Sequence, residues 1–155
     1  MTKTNYKNLK KVLHHQCERF VEHRLQTIEE IISSAQKALQ SETKSSAGDK
    51  HETGRAMLQL EMEKAGQQLS GVLQMKETLA KINPAKTSDI VHLGSLVFTS
   101  NENYFIAISA GKIEIDNEVY FAVSTSSPIG KGFLGKQKGA KPLFNNFQIE
   151  IKNVM

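Results

Sequence analysis

The chain of 155 residues contains no tryptophan, one cysteine and only three prolines, none within the first 82 residues. A single Cys17 excludes an internal disulfide and fits a reducing compartment. It falls in a helical stretch near Leu13 and Phe20, so it reads as a packing residue and not a nucleophile. No apolar run approaches the length needed to span a bilayer, and residues 1–11 lack the apolar centre of a secretory signal. A cytoplasmic protein with no membrane partner is therefore expected. Charge of one sign is also scarce. The formal net charge is +4, with 13 Lys and Arg against 10 Asp and Glu in residues 1–82, and 7 against 6 beyond. Neither half is basic enough to argue for autonomous nucleic-acid binding. The densest basic cluster, Lys3, Lys7, Lys10 and Lys11, reads as a solvated helix face. His14 and His15 are adjacent and point to different sides of a helix, which makes a poor joint zinc site.

What is present is a long mirrored pattern. Apolar or small residues recur at Val21, Leu25, Ile28, Ile32, Ala35 and Leu39 in steps of four and three. They recur again at Leu58, Met62, Ala65, Leu69 and Val72, then at Leu79. Both runs have the near-heptad spacing of amphipathic helices. Leu39 with Leu58, Ala35 with Met62, Ile32 with Ala65, Ile28 with Leu69 and Leu25 with Val72 have numbers that add to the same total. An antiparallel coiled-coil hairpin turning between Gly48 and Asp49 brings each pair to one level. The predicted first helix runs from about Asn5 to Thr43, and the second ends by Ile82 or Asn83, ahead of Pro84. The result is a helical hairpin over residues 1–82 whose arm, from the level of Glu18 and Leu79 to the turn, is roughly 45 Å long at about 1.5 Å per residue, with its tip at 44–52. The early turns with Leu9, Leu13, Cys17 and Phe20 keep a less regular rhythm and are expected to pack on the second domain.

The tip has a plain structural explanation. Gly48 permits the turn, Asp49 caps the second helix, and Glu52 three residues later completes a capping box. A functional reading is compatible with this one. The positive end of a helix dipole holds a carboxylate pair ionised. Two carboxylates make a poor Mg²⁺ site alone, because Mg²⁺ keeps its waters and wants phosphates as well. They make sense when carried into another protein's active site. Lys44, Lys50, His51 and Arg55 surround the acids, and Arg55 is placed to pair with Glu52 one turn away.

Composition shifts at Asn83-Pro84, and eight of the ten Phe and Tyr residues lie beyond residue 90. Residues 83–89 read as a linker and 90–155 as a second domain. Leu93 to Thr99 and Tyr104 to Ser109 read as strands. Ile113 and Ile115 alternate before Asp116-Asn117-Glu118, and Val119, Phe121 and Val123 alternate after it, which is a hairpin. Ser127-Pro128 is a helix start and Gly135 a stop. Lys141 to Phe144 and Phe147 to Ile151 form a last hairpin across Asn145-Asn146. The class is α+β: a small, mainly antiparallel sheet with one short helix. The glycines around Lys131 and Lys136 lack P-loop order and read as helix punctuation.

Two separated stretches resemble one family, the bacterial Gre-type transcript cleavage factors. Gly48-Asp49-x-x-Glu52 resembles that family's Gly-Asp-x-x-Glu tip. Ser127-Pro-Ile-Gly-Lys-Gly-Phe-Leu-Gly-Lys-Gln-Lys-Gly139 is similar to its Ser-Pro-Ile-x-x-x-Leu-x-Gly-Lys-x-x-Gly stretch. The resemblance implies an FKBP-like C-terminal domain that docks on RNA polymerase at the rim of its secondary channel, through Ser127, Pro128, Ile129, Leu134, Gly135 and Lys136. It implies that the hairpin enters the channel, where Asp49 and Glu52 support the second Mg²⁺ beside the 3′ end of a backtracked RNA, with Lys44, Lys50 and Arg55 near its phosphates. The chain would then be a monomeric accessory factor with no cofactor of its own, and hydrolysis would be performed by the polymerase. After the acidic pair the family continues Asn-Ala-Glu-Tyr, whereas this chain has Thr53-Gly54-Arg55-Ala56. A channel binder that modulates transcription without cleavage stays open, as does a structural coiled-coil adaptor. A prolyl isomerase, prompted only by the implied fold, finds no proline-binding motif here.

Overall fold

A computed structural model of the chain describes the backbone of residues 3–43 and 48–155. Residues 44–47, where the connection of the hairpin is expected, lie outside the described residues. The elements are α1 (Lys3–Thr43), α2 (Gly48–Ala80), β1 (Leu96–Thr99), β2 (Asn103–Ala107), β3 (Gly111–Ile115), β4 (Glu118–Ser124), α3 (Pro128–Phe133), β5 (Leu143–Phe144), β6 (Phe147–Gln148) and β7 (Ile151–Val154). Two long helices followed by a sheet with one short helix is the α+β arrangement the residue patterns imply.

The chain divides into two compact units. One is Val21–Lys76; the other joins the residues up to Phe20 with Glu77–Met155. The first unit is the paired part of α1 and α2. No glycine or proline interrupts the 41 residues of α1, so nothing in the backbone opposes a continuous helix. Val21, Ile28, Ala35, Ala65 and Val72 are buried, and Leu25, Ile32, Leu39, Leu58, Met62 and Leu69 are half-buried. Met75 joins the seam outside the pattern read from sequence. It is half-buried and supplies the missing step between Val72 and Leu79. A groove of about 550 Å³ is lined jointly by residues from His23 to Ile31 of α1 and from Gln68 to Met75 of α2, the levels that antiparallel pairing brings together. Gly71 lines this groove, and a Cβ added there would meet nothing within 4 Å.

In the other unit the main sheet has the order β3-β4-β2-β1-β7. Three of its pairings are antiparallel and one, β2 with β4, is parallel. The sheet is thus mainly antiparallel, and the parallel pair is the part local alternation does not specify. After β2 the chain passes outward to the edge, forms β3, and returns through a tight turn at Asp116-Asn117 (φ 52° and 66°). It is therefore β4 that lies beside β2, running in the same direction. The last hairpin is also shorter than expected. Asn145 and Asn146 take positive φ as the turn requires, but β6 ends at Gln148. The chain then leaves for the main sheet, where β7 pairs with β1, Val97 opposite Val154. The switch follows from burial, because Ile149 and Ile151 are both inside the core.

Alternation along the strands gives the sheet two covered faces. Val97, Tyr104, Ile106, Ile151 and Val154 form one cluster with Phe133 of α3, Val91 and Ile149. The Phe133 ring lies 5.3 Å from Tyr104 and 5.4 Å from Phe144. Leu96, Phe98 and Phe105 take the other face, where Tyr6 of α1 sits 5.5 Å from Phe98. Leu9, Leu13 and Cys17 of α1, together with Leu79 and Ile82, are buried in this unit.

Candidate functional site

The acidic pair lies at the start of α2. The helix begins at Gly48, and the capping role expected of Asp49 falls on side chains outside the described residues. Asp49 and Glu52 are three positions apart on continuous helical backbone, a spacing that places residues on one face. Glu52 and Arg55 are exposed. Lys44 lies outside the described residues, as do the side chains of Asp49, Lys50 and His51. Two carboxylates supply at most a minority of the six oxygens that Mg²⁺ takes, so the pair suits a metal held chiefly by something else. Among the described residues, no three His, Cys, Asp or Glu side chains gather closely enough to hold a metal ion. No described helix is long and apolar enough to cross a membrane.

The second candidate region, 127–139, is built largely for folding. Ser127 caps α3: its hydroxyl accepts from the Gly130 amide at 3.0 Å and donates to the Ser124 carbonyl at 2.7 Å. Pro128 takes the first helical position, where a missing amide hydrogen is harmless. Gly130 is pressed against β4, since a Cβ there would sit 2.0 Å from the Ser124 carbonyl oxygen. Gly132 is pressed against β5, since its Cβ would lie 2.1 Å from the Phe144 ring. The Gly135 amide donates to the Val91 carbonyl at 2.9 Å, and the Lys136 carbonyl accepts from the Val91 amide at 2.9 Å. Ile129 packs against the core cluster. Pro128, Leu134, Gly135 and Lys136 are exposed, whereas Ser127 and Ile129 are half-buried. The structure thus brings all six docking candidates onto one short segment, with four of them on the surface.

Three further residues stand out at the start of α1. Lys10, read from sequence as part of a solvated face, is fully buried, while Lys11 is exposed. Its ammonium donates to the Lys86 carbonyl at 2.7 Å and to a main-chain oxygen of Met155 at 3.3 Å. Burial draws its pKa down from 10.5 to about 8. The signal is present in the sequence, since Lys10, Leu13, Cys17 and Val21 follow helical spacing and Lys10 therefore shares the buried stripe. One turn on, the two ring nitrogens of His14 face the Leu79 carbonyl at 2.9 Å and Glu18 at 3.1 Å. His14 is thereby engaged in holding the two helices together at this level. Cys17 is buried, and burial, then the neighbouring Glu18 charge, pushes its thiol up to about 12. That is a packing cysteine and not a nucleophile.

No protein-family model and no curated protein sequence matches the chain. Among solved structures, one similar chain is the GreA factor homolog 1 (Gfh1) protein of Thermus thermophilus, at 18% sequence identity and a TM-score of 0.32, covering 90% of this chain and 94% of that one.

Proposed function

We propose that this chain is a Gre-type accessory factor that binds bacterial RNA polymerase and brings Asp49 and Glu52 to the polymerase active centre through its secondary channel. The observation that carries the reading is the placement of the acidic pair. Two helices of 41 and 33 residues, each with a buried stripe in alternating steps of four and three, leave Asp49 and Glu52 in the first two turns after the connection. Mg²⁺ keeps several waters and takes phosphate oxygens beside one or two carboxylates, so the chemistry of such a pair calls for a metal site completed elsewhere. In this reading the chain is not an enzyme and holds no cofactor of its own. Asp49 and Glu52 support a Mg²⁺ shared with the polymerase, which supplies charge neutralisation for phosphodiester hydrolysis. Lys44, Lys50 and Arg55 favour approach of the RNA phosphates. The sheet unit, FKBP-like in this proposal, docks at the channel rim through the surface of Pro128, Leu134, Gly135 and Lys136.

The test is RNA cleavage in stalled, backtracked complexes of the cognate polymerase. The wild-type chain shortens the transcript from its 3′ end. The Asp49→Ala, Glu52→Ala double variant abolishes the shortening and leaves polymerase binding intact. Full cleavage by that variant overturns the mechanism. A second reading, binding without cleavage, is favoured by Arg55, an exposed cation one turn from Glu52 where the resemblance has a glutamate. It predicts altered elongation, bound polymerase and no shortened transcripts.

A further inference from the structure

Strand β3 lies at the edge of the main sheet, paired with β4 on one side only. The two-residue turn at Asp116-Asn117 makes Ile115 and Glu118 its closing hydrogen-bonded pair. Counting back along the ladder, Ile113 with Tyr120 and Gly111 with Ala122 are the next such pairs. The backbone N–H and C=O groups of Lys112 and Glu114 therefore point away from β4. Among the described residues, no backbone hydrogen bond from outside the β3–β4 ladder reaches them. A groove of about 490 Å³ is lined by Lys112, Ile113 and Glu114 on one side and by Gln16, Arg19 and Phe20 of α1 on the other. Successive strand residues point to opposite faces, so a groove touching all three runs along the strand's edge.

We propose that β3 pairs antiparallel with β3 of a second copy of this chain, across a two-fold axis at Ile113. The charges select both the occupant and the register. In this alignment the outward-facing backbone groups of Lys112 meet those of the partner's Glu114, and those of Glu114 meet the partner's Lys112. Each makes a closely spaced hydrogen-bonded pair. The opposed side chains are then lysine against glutamate, twice, both exposed on one face, while Ile113 meets its own copy on the other. Sliding the axis by one residue in either direction sets Lys112 against Lys112 or Glu114 against Glu114. Charged residues on an edge strand ordinarily discourage pairing; here their alternation makes the edge complementary to itself. Phe20 and Gln16 border the same groove and add surface to the contact. A pair of five-residue strands buries much less than a standard interface, so the dimer is weak, with a dissociation constant of about 0.1–1 mM, and dilute protein is monomeric. This inference is independent of the polymerase reading.

Sedimentation velocity of the full chain between about 10 µM and 1 mM tests it. The wild type shifts from monomer to dimer across that range. Lys112→Glu and Glu114→Lys each place like charges opposite one another twice, and each weakens association about tenfold or more. The Lys112→Glu, Glu114→Lys double variant restores it. Mixing the two single variants gives a heterodimer, although neither associates with itself. A wild type that is monomeric throughout overturns the proposal. So do single variants that associate as well as wild type, or a double variant that stays dissociated.

Discussion

Replacing Lys10 with methionine tests the energetics of the buried ammonium directly. Lys10 has no accessible surface, and its hydrogen-bond partners are main-chain oxygens of Lys86 and Met155. Its pKa is near 10.5 in the unfolded chain and about 8 in the folded one. At about 1.4 kcal/mol per unit, that gap corresponds to ~3.5 kcal/mol at most, and to about 2 kcal/mol once solvent screening is allowed for. Between pH 8 and 10.5 the unfolded chain holds a proton that the folded chain has released. Stability therefore rises with pH across this window. Below pH 8 both states are protonated and the full penalty is present; above 10.5 both are neutral and it is gone.

Lys10→Met removes the penalty and leaves the Lys86 carbonyl without its donor, at about 1 kcal/mol. The Met155 oxygen keeps the Leu96 amide at 2.9 Å. Between pH 8 and 10.5 the wild type gains about 2 kcal/mol of stability that the variant does not, so the difference between the two curves changes by that amount across the window. Urea denaturation followed by circular dichroism at a series of pH values measures both curves, and titrations common to the two proteins cancel in the difference. Parallel profiles, or a wild type that loses ground to the variant above pH 8, refute the reasoning.

Other substitutions probe the remaining elements. Gly130→Ala forces a Cβ to within 2.0 Å of the Ser124 carbonyl, a backbone atom that cannot swing aside; a loss of about 3 kcal/mol or more is expected in urea denaturation. Ser127→Ala removes the α3 cap and the bond to the Ser124 carbonyl, for a loss of about 1–2 kcal/mol by the same measurement. With its thiol pushed up to about 12 by burial and then by Glu18, Cys17 stays unmodified by a thiol reagent in the native protein at pH 8 and reacts once denaturant is added. Fast native labelling would contradict its burial.

Periodicity makes the helices legible in the sequence, because α1 and α2 each keep one apolar stripe over many turns. It fails where one residue belongs to two patterns. Lys10 has a charged head and an apolar stem, and its charge masks its position on the stripe that Leu13 and Cys17 define. Met75 is masked in a similar way, because Lys76 beside it marks the stripe's polar border. The strands are legible one at a time and their partners less so. Alternation shows which face a residue takes but not which strand lies alongside, so neither the parallel β2–β4 pair nor the return of β7 to β1 can be read from local pattern. The continuous apolar alternation from Phe147 to Ile151 conceals a change of sheet near Ile149.

The two stretches that carry the family resemblance differ in what they constrain. In residues 127–139, Ser127, Gly130 and Gly132 are each accounted for by a cap or a close approach within the sheet unit. Any sequence that folds α3 onto β4 and β5 this way meets the same demands, so this stretch bears on fold before it bears on partners. No comparable packing demand falls on Glu52, which is exposed on a helix whose seam residues lie elsewhere. An exposed carboxylate there contributes little to stability beyond a few tenths of a kcal/mol from the helix dipole. Removing the Glu52 carboxylate should therefore leave folding almost untouched. The proposed role of the pair is then measurable separately from stability: with urea denaturation as its folding control, the double alanine variant tests the function, and the Ser127 and Gly130 variants test the fold.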